Sequence, residues 1–379
     1  MIKAFKVRIY PTKEQEALMW KHINCCRYVW NYMLALQEES YTNGEKHLSR
    51  FDMIKLLTLL KKDGTHDWLY EVSSTSLQII CSDLSDAFSR VFNKTARQPR
   101  FKSKKKAKPS FGINSQNFYF KTESLLKVEK IGDVRYKTDF NFQIGRGFKF
   151  SNPRISYKNN KWMLPFGMEC ENQAPCLTDK KVGIDLGIKE LAVVAIDDEQ
   201  LVFHNINKSK KMRTLNRQLK HTQRAISRKY EANKVGKKFV KTRNIERLED
   251  KLRKLRARIS DIRENYIHQT THKIVSMLPS QVTMEDLNVS GMMKNQHLSK
   301  AISEQCFYEF IRQMRYKCAW NGIEFVQANR FYPSSKTCSH CGSIKQDLKL
   351  SDRTFVCSDC GFTIDRDYNA AINLMRYEA

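Results

Sequence analysis

Residues 182–188 read Val-Gly-Ile-Asp-Leu-Gly-Ile, an apolar run interrupted by the single carboxylate of Asp185. Residues 191–196 form a second apolar run, Leu-Ala-Val-Val-Ala-Ile, so the two stretches predict neighbouring buried strands. Residues 281–287 predict a third strand, which ends in the acidic pair Glu285 and Asp286. A helical pattern at 302–320 and a strand pattern at 324–328 follow. Because strands and helices alternate, we expect an α/β sheet domain that begins at residue 181.

The charge balance of the chain indicates a polyanionic partner. Its 379 residues include 67 Lys and Arg against 40 Asp and Glu, a formal net charge of +27. A surplus of this size repels itself and is typical of proteins that bind nucleic acid. No apolar run reaches the ~18 residues of a membrane-spanning helix, and the N-terminus lacks the apolar core of a signal peptide. We therefore expect a cytoplasmic protein with no membrane partner.

The N-terminal part of the chain predicts a strand, a helical region and a set of short strands. Residues 3–10 alternate apolar and basic side chains, which favours a strand with one basic face. Thr12 and Gln15 have the spacing of a capping box at the start of a helix. The pattern then stays mostly helical to about residue 95, and residues 118–168 alternate as the short strands of a small β-barrel or sheet.

Two basic stretches are candidates for nucleic-acid contact. Residues 94–108 hold eight basic residues and no acidic one, with the candidates Arg97, Arg100, Lys102 and Lys104. Residues 208–263 hold 21 basic residues against five acidic ones, with the candidates Lys220, Arg224, Arg228, Lys241 and Arg243. In both stretches a merely solvated surface is the alternative to phosphate contact.

The second basic stretch also carries an apolar stripe. Its members follow one another at steps of three and four residues: Ile245, Leu248, Leu252, Leu255, Ile259 and Ile262. A break near residues 233–236 divides the stretch, so we predict an antiparallel helical hairpin over 207–275 with a basic outer face. The stripe itself predicts packing only.

Four cysteines have the spacing of a zinc site. The pair Cys338 and Cys341 and the pair Cys357 and Cys360 each have the form Cys-x2-Cys, and fifteen residues separate the pairs. Four thiolates in two such pairs suit tetrahedral Zn²⁺ and leave no open coordination position, so we expect one structural zinc ion. Disulfides are the alternative, which a reducing cytosol disfavours.

Three carboxylates predict a second, catalytic metal centre. Asp185 and Glu285 lie in apolar strands, where an isolated charge is costly, and Asp367 begins a helical run after the last cysteine pair. Carboxylates that converge at one sheet edge can hold the two ions of a phosphodiester-cleaving site, and oxygen ligands select Mg²⁺ or Mn²⁺. Singly, Asp367 could cap its helix and Glu285 could pair with a lysine. The neighbours Asp286 and Asp365 could replace them.

Seven segments, taken in order, resemble the TnpB proteins of insertion sequences, which are relatives of the compact type V CRISPR effectors. The segments are FKVRIYP at 5–11, CRYVWNY at 26–32, PRFKSK at 99–104, GIDLG at 183–187, EDLNV at 285–289, FYPSSKTC at 331–338 and DRDYNAA at 365–371. The resemblance covers nearly the whole chain. It identifies Asp185, Glu285 and Asp367 as the catalytic carboxylates, with two Mg²⁺ or Mn²⁺ ions.

The resemblance also implies a domain organisation. A RuvC-like nuclease domain of RNase H-type fold spans 181–330 and 365–379, with the helical hairpin at 207–275 inserted. A zinc ribbon spans 331–364. A split wedge β-barrel spans 1–12 and 97–172, and a helical recognition domain at 13–96 is inserted in it.

The activity that the resemblance implies is RNA-guided cleavage of double-stranded DNA beside a short adjacent motif, by one copy of the chain bound to a guide RNA transcribed near its own gene. The protein is then expected on the prokaryotic nucleoid. One alternative is an RNA-guided repressor that cannot cut, but such family members lose the carboxylates that this chain retains. The other is a transposase or transposition accessory protein, for which no tyrosine nucleophile with a paired-histidine motif is visible.

Overall fold

The computed structural model describes residues 2–140, 142, 144–145, 148–170, 175–236, 238–349 and 352–378. The chain divides into two compact units, Met1–Glu171 and Asn172–Ala379. The predicted domain limits at residues 1, 172 and 379 lie outside the described residues. Both units combine helices with sheets, which confirms the predicted α/β class. Within the described ranges, no helix has both the length and the apolar character required to cross a lipid bilayer.

The N-terminal unit contains an eight-stranded sheet in the order β2-β7-β8-β1-β5-β4-β3, with β6 paired to β8. Its strands are β1 (Ile2–Tyr10), β2 (Ser110–Gly112), β3 (Tyr119–Phe120), β4 (Leu125–Val128), β5 (Gly132–Lys137), β6 (Phe150–Ser151), β7 (Arg154–Lys158) and β8 (Lys161–Glu169). The predicted first strand is confirmed, since Val7 and Ile9 are buried while Lys6 and Arg8 are exposed. β1 pairs antiparallel with both β5 and β8, which places the first strand in the middle of the sheet.

The helices of this unit are α1 (Lys13–Thr42), α2 (Arg50–Lys62) and α3 (Ser74–Phe92), with a short 3-10 helix at Asp67–Glu71. The predicted capping box is confirmed: the Gln15 amide donates to the Thr12 hydroxyl at 3.3 Å, and the Thr12 amide donates to the Gln15 side chain at 3.0 Å. Helices and sheet share one apolar core, to which α1 contributes Met19 and Met33 and the sheet contributes Phe120. Burial of this shared core stabilises the unit.

The C-terminal unit contains a five-stranded sheet in the order β11-β10-β9-β14-β15. Its strands are β9 (Lys181–Leu186), β10 (Glu190–Ile196), β11 (Glu199–His204), β14 (Gln281–Glu285) and β15 (Glu324–Ala328). β9 and β10 pair antiparallel, whereas β14 is parallel to both β9 and β15. Two small antiparallel ribbons lie outside this sheet, β12 (Lys234–Val235) with β13 (Lys238–Phe239), and β16 (Thr354–Val356) with β17 (Thr363–Asp365).

The helices of the C-terminal unit are α4 (Lys210–Ala232), α5 (Arg243–Val275), α6 (Val289–Met292), α7 (Ser299–Gln305), α8 (Phe307–Asn321) and α9 (Arg366–Met375). In the sequence, α4 precedes the β12–β13 ribbon and α5 follows it. Met212 and Leu215 of α4 pack against Leu255 and Ile259 of α5, which are members of the predicted apolar stripe. Because the start of α4 meets the middle of α5 while Tyr230, near the end of α4, bonds Glu249 at 2.8 Å, the two helices are antiparallel.

Candidate active site and metal centre

The register of β9 and β14 brings Asp185 and Glu285 side by side. The parallel ladder pairs Gln281 with Lys181 and continues to Met284 with Ile184. Asp185 and Glu285 are the next residue on each strand, so they occupy equivalent positions at the same edge of the sheet. Equivalent residues of adjacent parallel strands point to the same face, and the strands lie about 4.8 Å apart.

Helix α9 brings Asp367 to the same face. A Cβ atom on Gly183 would lie 2.0 Å from the Ala371 carbonyl oxygen and 2.3 Å from the Met375 nitrogen, so α9 rests directly on the backbone of β9. Asp185 follows Gly183 by two residues and therefore shares its face of the strand. Asp367 precedes Ala371 by four residues and therefore shares its face of the helix. The contact at Gly183 thus directs both carboxylates into one region.

The electrostatics of Asp185 reflect this convergence. Its side chain is half-buried, and desolvation raises the pKa of its carboxyl group well above the ordinary 3.8. The nearby carboxylates of Glu285 and then Asp367 raise the pKa further, and the Arg366 guanidinium partly opposes them. Negative charges held this close favour a bound cation.

Two of the carboxylates are held by neighbouring side chains. The Ser334 hydroxyl donates a hydrogen bond to Glu285 Oε1. The Arg366 guanidinium donates to Asp367 at 3.0 Å. Both contacts restrict the rotamers of the acidic side chains, as partners of metal-binding carboxylates do.

The acidic neighbours that the sequence left open have other roles. Asp365 is the N-cap of α9: its carboxylate accepts from the backbone amides of Asp367 at 3.0 Å and Tyr368 at 3.1 Å. Asp286 forms an ion pair with Arg330 at 2.5 Å. The helix-capping role considered for Asp367 therefore belongs to Asp365. The Asp367 carboxylate is not needed as a cap, and it lies on the face of α9 that packs on the Asp185 face of β9.

The three carboxylates are less tightly clustered than the four cysteines. In the described part of the chain, one set of acidic, histidine or cysteine side chains has all its ligand atoms within 4.8 Å of one another, and that set is the four cysteines. Two catalytic ions lie about 3.5–4 Å apart, so ligands of different ions need not approach each other so closely. The three carboxylates do not form so compact a set.

The four cysteines form a compact cluster of free thiols. The Sγ atoms of Cys338 and Cys360 lie 3.8 Å apart and those of Cys341 and Cys357 lie 3.6 Å apart. Tetrahedral coordination with Zn–S bonds of 2.3 Å places sulfur atoms about 3.8 Å apart, so these distances suit a zinc ion. The described cysteines form no disulfide, so the disulfide alternative is not realised.

The titration of two of these thiols differs. A hydrogen bond with the Ser343 hydroxyl lowers the pKa of Cys357 to about 6. Cys360 receives a backbone hydrogen bond from Phe362, which lowers its pKa, but desolvation and the surrounding thiols outweigh this bond and raise the pKa to about 12. Neighbouring thiolates repel one another, and a divalent cation between them removes that repulsion.

The predicted nucleic-acid contacts are mostly exposed side chains. Eight of the nine are exposed: Arg97, Arg100, Lys104, Lys220, Arg224, Arg228, Lys241 and Arg243. Lys220, Arg224 and Arg228 follow one another at steps of four on α4 and so form one basic stripe. Lys241 is already paired with Glu249 at 2.7 Å.

Lys102 differs from the other candidates because its cation is used within the fold. Its ammonium group lies 3.3 Å from the centre of the Trp30 ring, and burial lowers its pKa to about 8. The Asn31 side chain holds the Lys102 backbone through two hydrogen bonds, of 2.7 and 3.0 Å. The part of the basic loop around Lys102 is thus fixed to α1, and the side chain contributes a cation–π contact rather than a free charge.

Three buried polar side chains near the acidic cluster were not predicted from the sequence: Ser334, Asn369 and Asn373, whose exposed fractions are 2%, 0% and 5%. One signal was available in the sequence, because two asparagines spaced by four on a helix rich in alanine require buried partners. The identity of those partners is a tertiary property.

Three family models match the chain. They are described as a helix-turn-helix domain, over residues 1–46, a probable transposase, over 165–296, and a Cas12f1-like TNB domain, over 307–374. In this structure residues 1–46 contain β1 and the single long helix α1, so the first description does not correspond to two helices joined by a turn.

Two relatives match nearly the whole length of the chain and are named as RNA-guided DNA endonucleases. A Streptomyces pristinaespiralis protein named "Putative RNA-guided DNA endonuclease" is 32% identical over 98% of this chain and 88% of its own length. The "Putative RNA-guided DNA endonuclease InsQ" of Escherichia coli K12 is 29% identical over 99% and 92%. A solved chain from a Cas12f1-sgRNA-target DNA complex shares the fold, with a TM-score of 0.56 and 14% identity over 99% of this chain and 98% of that chain.

The matches define a class, the proteins of IS605-type insertion elements. The chain belongs to the TnpB family.

Proposed function

We propose that this protein is an RNA-guided DNA endonuclease of an insertion sequence, and that it cuts double-stranded DNA beside a short adjacent motif. The observation that carries the proposal is the convergence of Asp185, Glu285 and Asp367 on one face of the C-terminal sheet. The names of the full-length relatives support it. A guide-selected nuclease needs both a cutting centre and an extended basic surface, and the chain has candidates for both.

The donor set fits hard divalent cations. Asp185, Glu285 and Asp367 offer only carboxylate oxygens. Desolvation and then repulsion from the other two carboxylates raise the Asp185 pKa, and bound positive charge relieves that repulsion. Oxygen donors of this kind select Mg²⁺ or Mn²⁺, and these three residues would hold two such ions. When bound, the ions supply activation of water and stabilisation of the leaving oxygen of the phosphodiester.

The neighbouring residues prepare this centre. Arg366 donates a hydrogen bond to Asp367, and Ser334 fixes the orientation of Glu285 through its hydroxyl. Asp365 holds the first turn of α9 in place as its N-cap. The preorganised carboxylates lower the reorganisation needed when a phosphate group arrives.

We assign contact with the RNA and the target DNA to the basic surfaces of the chain. The stripe Lys220, Arg224 and Arg228 and the exposed residues Arg97, Arg100, Lys104 and Arg243 would contact phosphates without reading sequence. Sequence is then selected by base pairing between guide and target.

We further assign domains within the two units. The wedge domain comprises 1–12 and 97–172 and encloses a helical recognition domain at 13–96. The nuclease domain comprises 181–330 and 365–379, with the hairpin at 207–275, and the zinc ribbon spans 331–364. One copy of the chain would act with one RNA. The antiparallel packing of α4 on α5 supports the assignment of the hairpin, and the four-cysteine cluster supports the assignment of the zinc ribbon.

The proposal is tested by identifying the RNA and then the cut. RNA that co-purifies with the protein is sequenced, and a duplex matched to its variable end is placed beside a randomised flank. We expect Mg²⁺- or Mn²⁺-dependent cleavage of the duplexes that carry one short flanking motif. A purified complex that binds RNA but cuts no matched duplex with either ion would contradict the proposal.

A further inference from the structure

The segment 334–339, here called the brace segment, runs from just before the first cysteine pair into it, and α9 is hydrogen-bonded to it. The Asn369 amide group donates to the Thr337 carbonyl oxygen at 2.7 Å, and its oxygen accepts from the Ser339 backbone amide at 3.0 Å. The Asn369 side chain is fully buried. Both hydrogen-bonding halves of this carboxamide are therefore used between α9 and the residues that flank Cys338.

Asn373 repeats the contact one helical turn later. Its amide group donates to the carbonyl oxygens of Ser334 and Thr337, each at 2.7 Å. Residues four apart share a helix face, so Asn369 and Asn373 form one polar face of α9. Ala371 lies on the opposite side, against Gly183 of β9. α9 is thus held between the sheet and the brace segment.

The same segment holds the second acidic side chain. Ser334, at its first position, is buried and donates its hydroxyl hydrogen to Glu285. At the other end Cys338 is buried in the four-cysteine cluster, and its backbone amide donates to the Ser343 carbonyl oxygen at 2.8 Å. The brace segment therefore contacts Glu285 directly and contacts the helix that carries Asp367.

We propose that Ser334, Asn369 and Asn373 are positioning residues, through which the four-cysteine cluster fixes Glu285 and Asp367 for the ions of the nuclease centre. This inference rests on the proposed function. Buried hydrogen bonds of this kind are costly to break because the partners left behind have no water. Ordering of the cysteine cluster is therefore transmitted to the spacing of the two carboxylates.

The consequence is that the affinity of the acidic cluster for divalent ions depends on side chains that touch neither the ions nor the DNA. Substitution of the partners that orient metal ligands typically costs 10–100-fold in metal affinity or activity. We expect the same range when Asn369 is changed, because it fixes the helix that carries Asp367.

The test compares two asparagine substitutions in the full chain. Asn369→Leu keeps the approximate volume and removes both hydrogen bonds. Asn321→Leu is the matched control, since the Asn321 side-chain amide donates to the Lys317 carbonyl oxygen in its own helix α8 at 2.8 Å. Mn²⁺ binding is measured by electron paramagnetic resonance on the protein without DNA, and zinc content and RNA binding are measured in parallel.

We expect Asn369→Leu to keep one zinc ion and its RNA affinity, while Mn²⁺ binding weakens by about 10-fold or more. The Mn²⁺ concentration for half-maximal DNA cleavage should rise by the same factor, and Asn321→Leu should match the wild type in all four measurements. Unchanged Mn²⁺ binding in folded Asn369→Leu would overturn the inference.

Ser334→Ala provides a second variant in case Asn369→Leu does not fold. It removes only the hydroxyl that orients Glu285, and we expect the same direction of change in Mn²⁺ affinity. Mn²⁺ binding equal to that of the wild type would overturn the inference for this residue. Failure of the proposed function is distinguishable, because the wild-type complex would then cut no guide-matched duplex whatever the Mn²⁺ affinities of the variants.

Discussion

The backbone of Gly183 in β9 lies against the backbone of Ala371 in α9, so closely that a Cβ atom at Gly183 would be 2.0 Å from the Ala371 carbonyl oxygen. Asp185 lies two residues after Gly183 and Asp367 lies one helical turn before Ala371. Because Gly183 has no side chain, α9 can pack directly on β9, and this close packing determines how near the carboxylates of Asp185 and Asp367 can come.

Gly183→Ala should therefore destabilise the C-terminal unit and reduce cleavage. The added methyl group meets backbone atoms that cannot rotate away, and such overpacking costs about 1–3 kcal/mol or more. Denaturant unfolding of the variant measures the loss. Gly236→Ala is the control, because its Cβ would meet no atom within 4 Å and only its positive φ of 59° opposes substitution. Equal stability of Gly183→Ala and the wild type would contradict the close packing of α9.

Cys357→Ser should remove zinc and destabilise the same unit. The Cys357 sulfur is buried in the cluster, and three thiolates with a hydroxyl bind Zn²⁺ poorly. A loss of about 2 kcal/mol lowers the melting temperature of a unit of this size by about 4–8 °C. Zinc content and thermal unfolding measure both effects, with Cys176→Ser, at an exposed cysteine outside the cluster, as the control. Full stability of Cys357→Ser with no zinc bound would refute a structural role for the metal.

Lys317 should give the C-terminal unit a specific dependence on pH. Burial between α5 and α8 lowers its pKa from the ordinary 10.5 to about 8, although its amine bonds Thr271 at 2.7 Å. Between these two pKa values Lys317 is protonated in the unfolded chain and neutral in the folded protein. The contribution of Lys317 to the unfolding free energy therefore rises as the pH is raised from about 8 to 10.5, and below that window the contribution is unfavourable.

Lys317→Met should remove this contribution, so the difference in unfolding free energy between variant and wild type should shrink as the pH is raised from 7 to 10. Denaturant melts across that range measure it, with the exposed Lys300→Met on α7 as the control. A difference that stays constant with pH would show that Lys317 is protonated in the folded protein throughout.

Replacing Lys220, Arg224 and Arg228 together with glutamine should flatten the salt dependence of RNA or DNA binding. Each phosphate contact contributes about 0.7–0.9 to the slope of log affinity against log salt, so three contacts contribute about 2–3. Arg253→Gln with Lys254→Gln is the comparison, because both side chains already pair with Asp250. If the slope is the same before and after the triple substitution, the α4 stripe is solvated and contacts no phosphate.

Local patterns in the sequence predicted local features well. The alternation at residues 3–10 is realised in β1, the Thr12–Gln15 spacing is realised as a capping box, and the paired cysteines form one cluster. Each of these patterns is carried by residues close together in the sequence, although the strands that pair with β1 are distant from it.

Features that depend on distant contacts were beyond the sequence. Charge alone offered Lys102 as a phosphate contact, whereas its ammonium group lies on the Trp30 ring. Residue chemistry alone did not distinguish Asp365 from Asp367, and only the family resemblance favoured Asp367; the structure adds that Asp365 is the residue that caps α9. The hydrogen-bond partners of Asn369 and Asn373 could not be predicted either. A buried side-chain amide is expected to form hydrogen bonds, but the sequence does not identify the groups that form them.

The most direct test is cleavage of a guide-matched duplex by the Asp185→Ala protein in complex with its RNA, at a saturating Mg²⁺ or Mn²⁺ concentration. Loss of the carboxylate in the middle strand should abolish cutting and leave RNA and DNA binding at wild-type strength, because the basic surfaces are unchanged. Cutting by Asp185→Ala at the wild-type rate would show that phosphodiester hydrolysis takes place without this carboxylate.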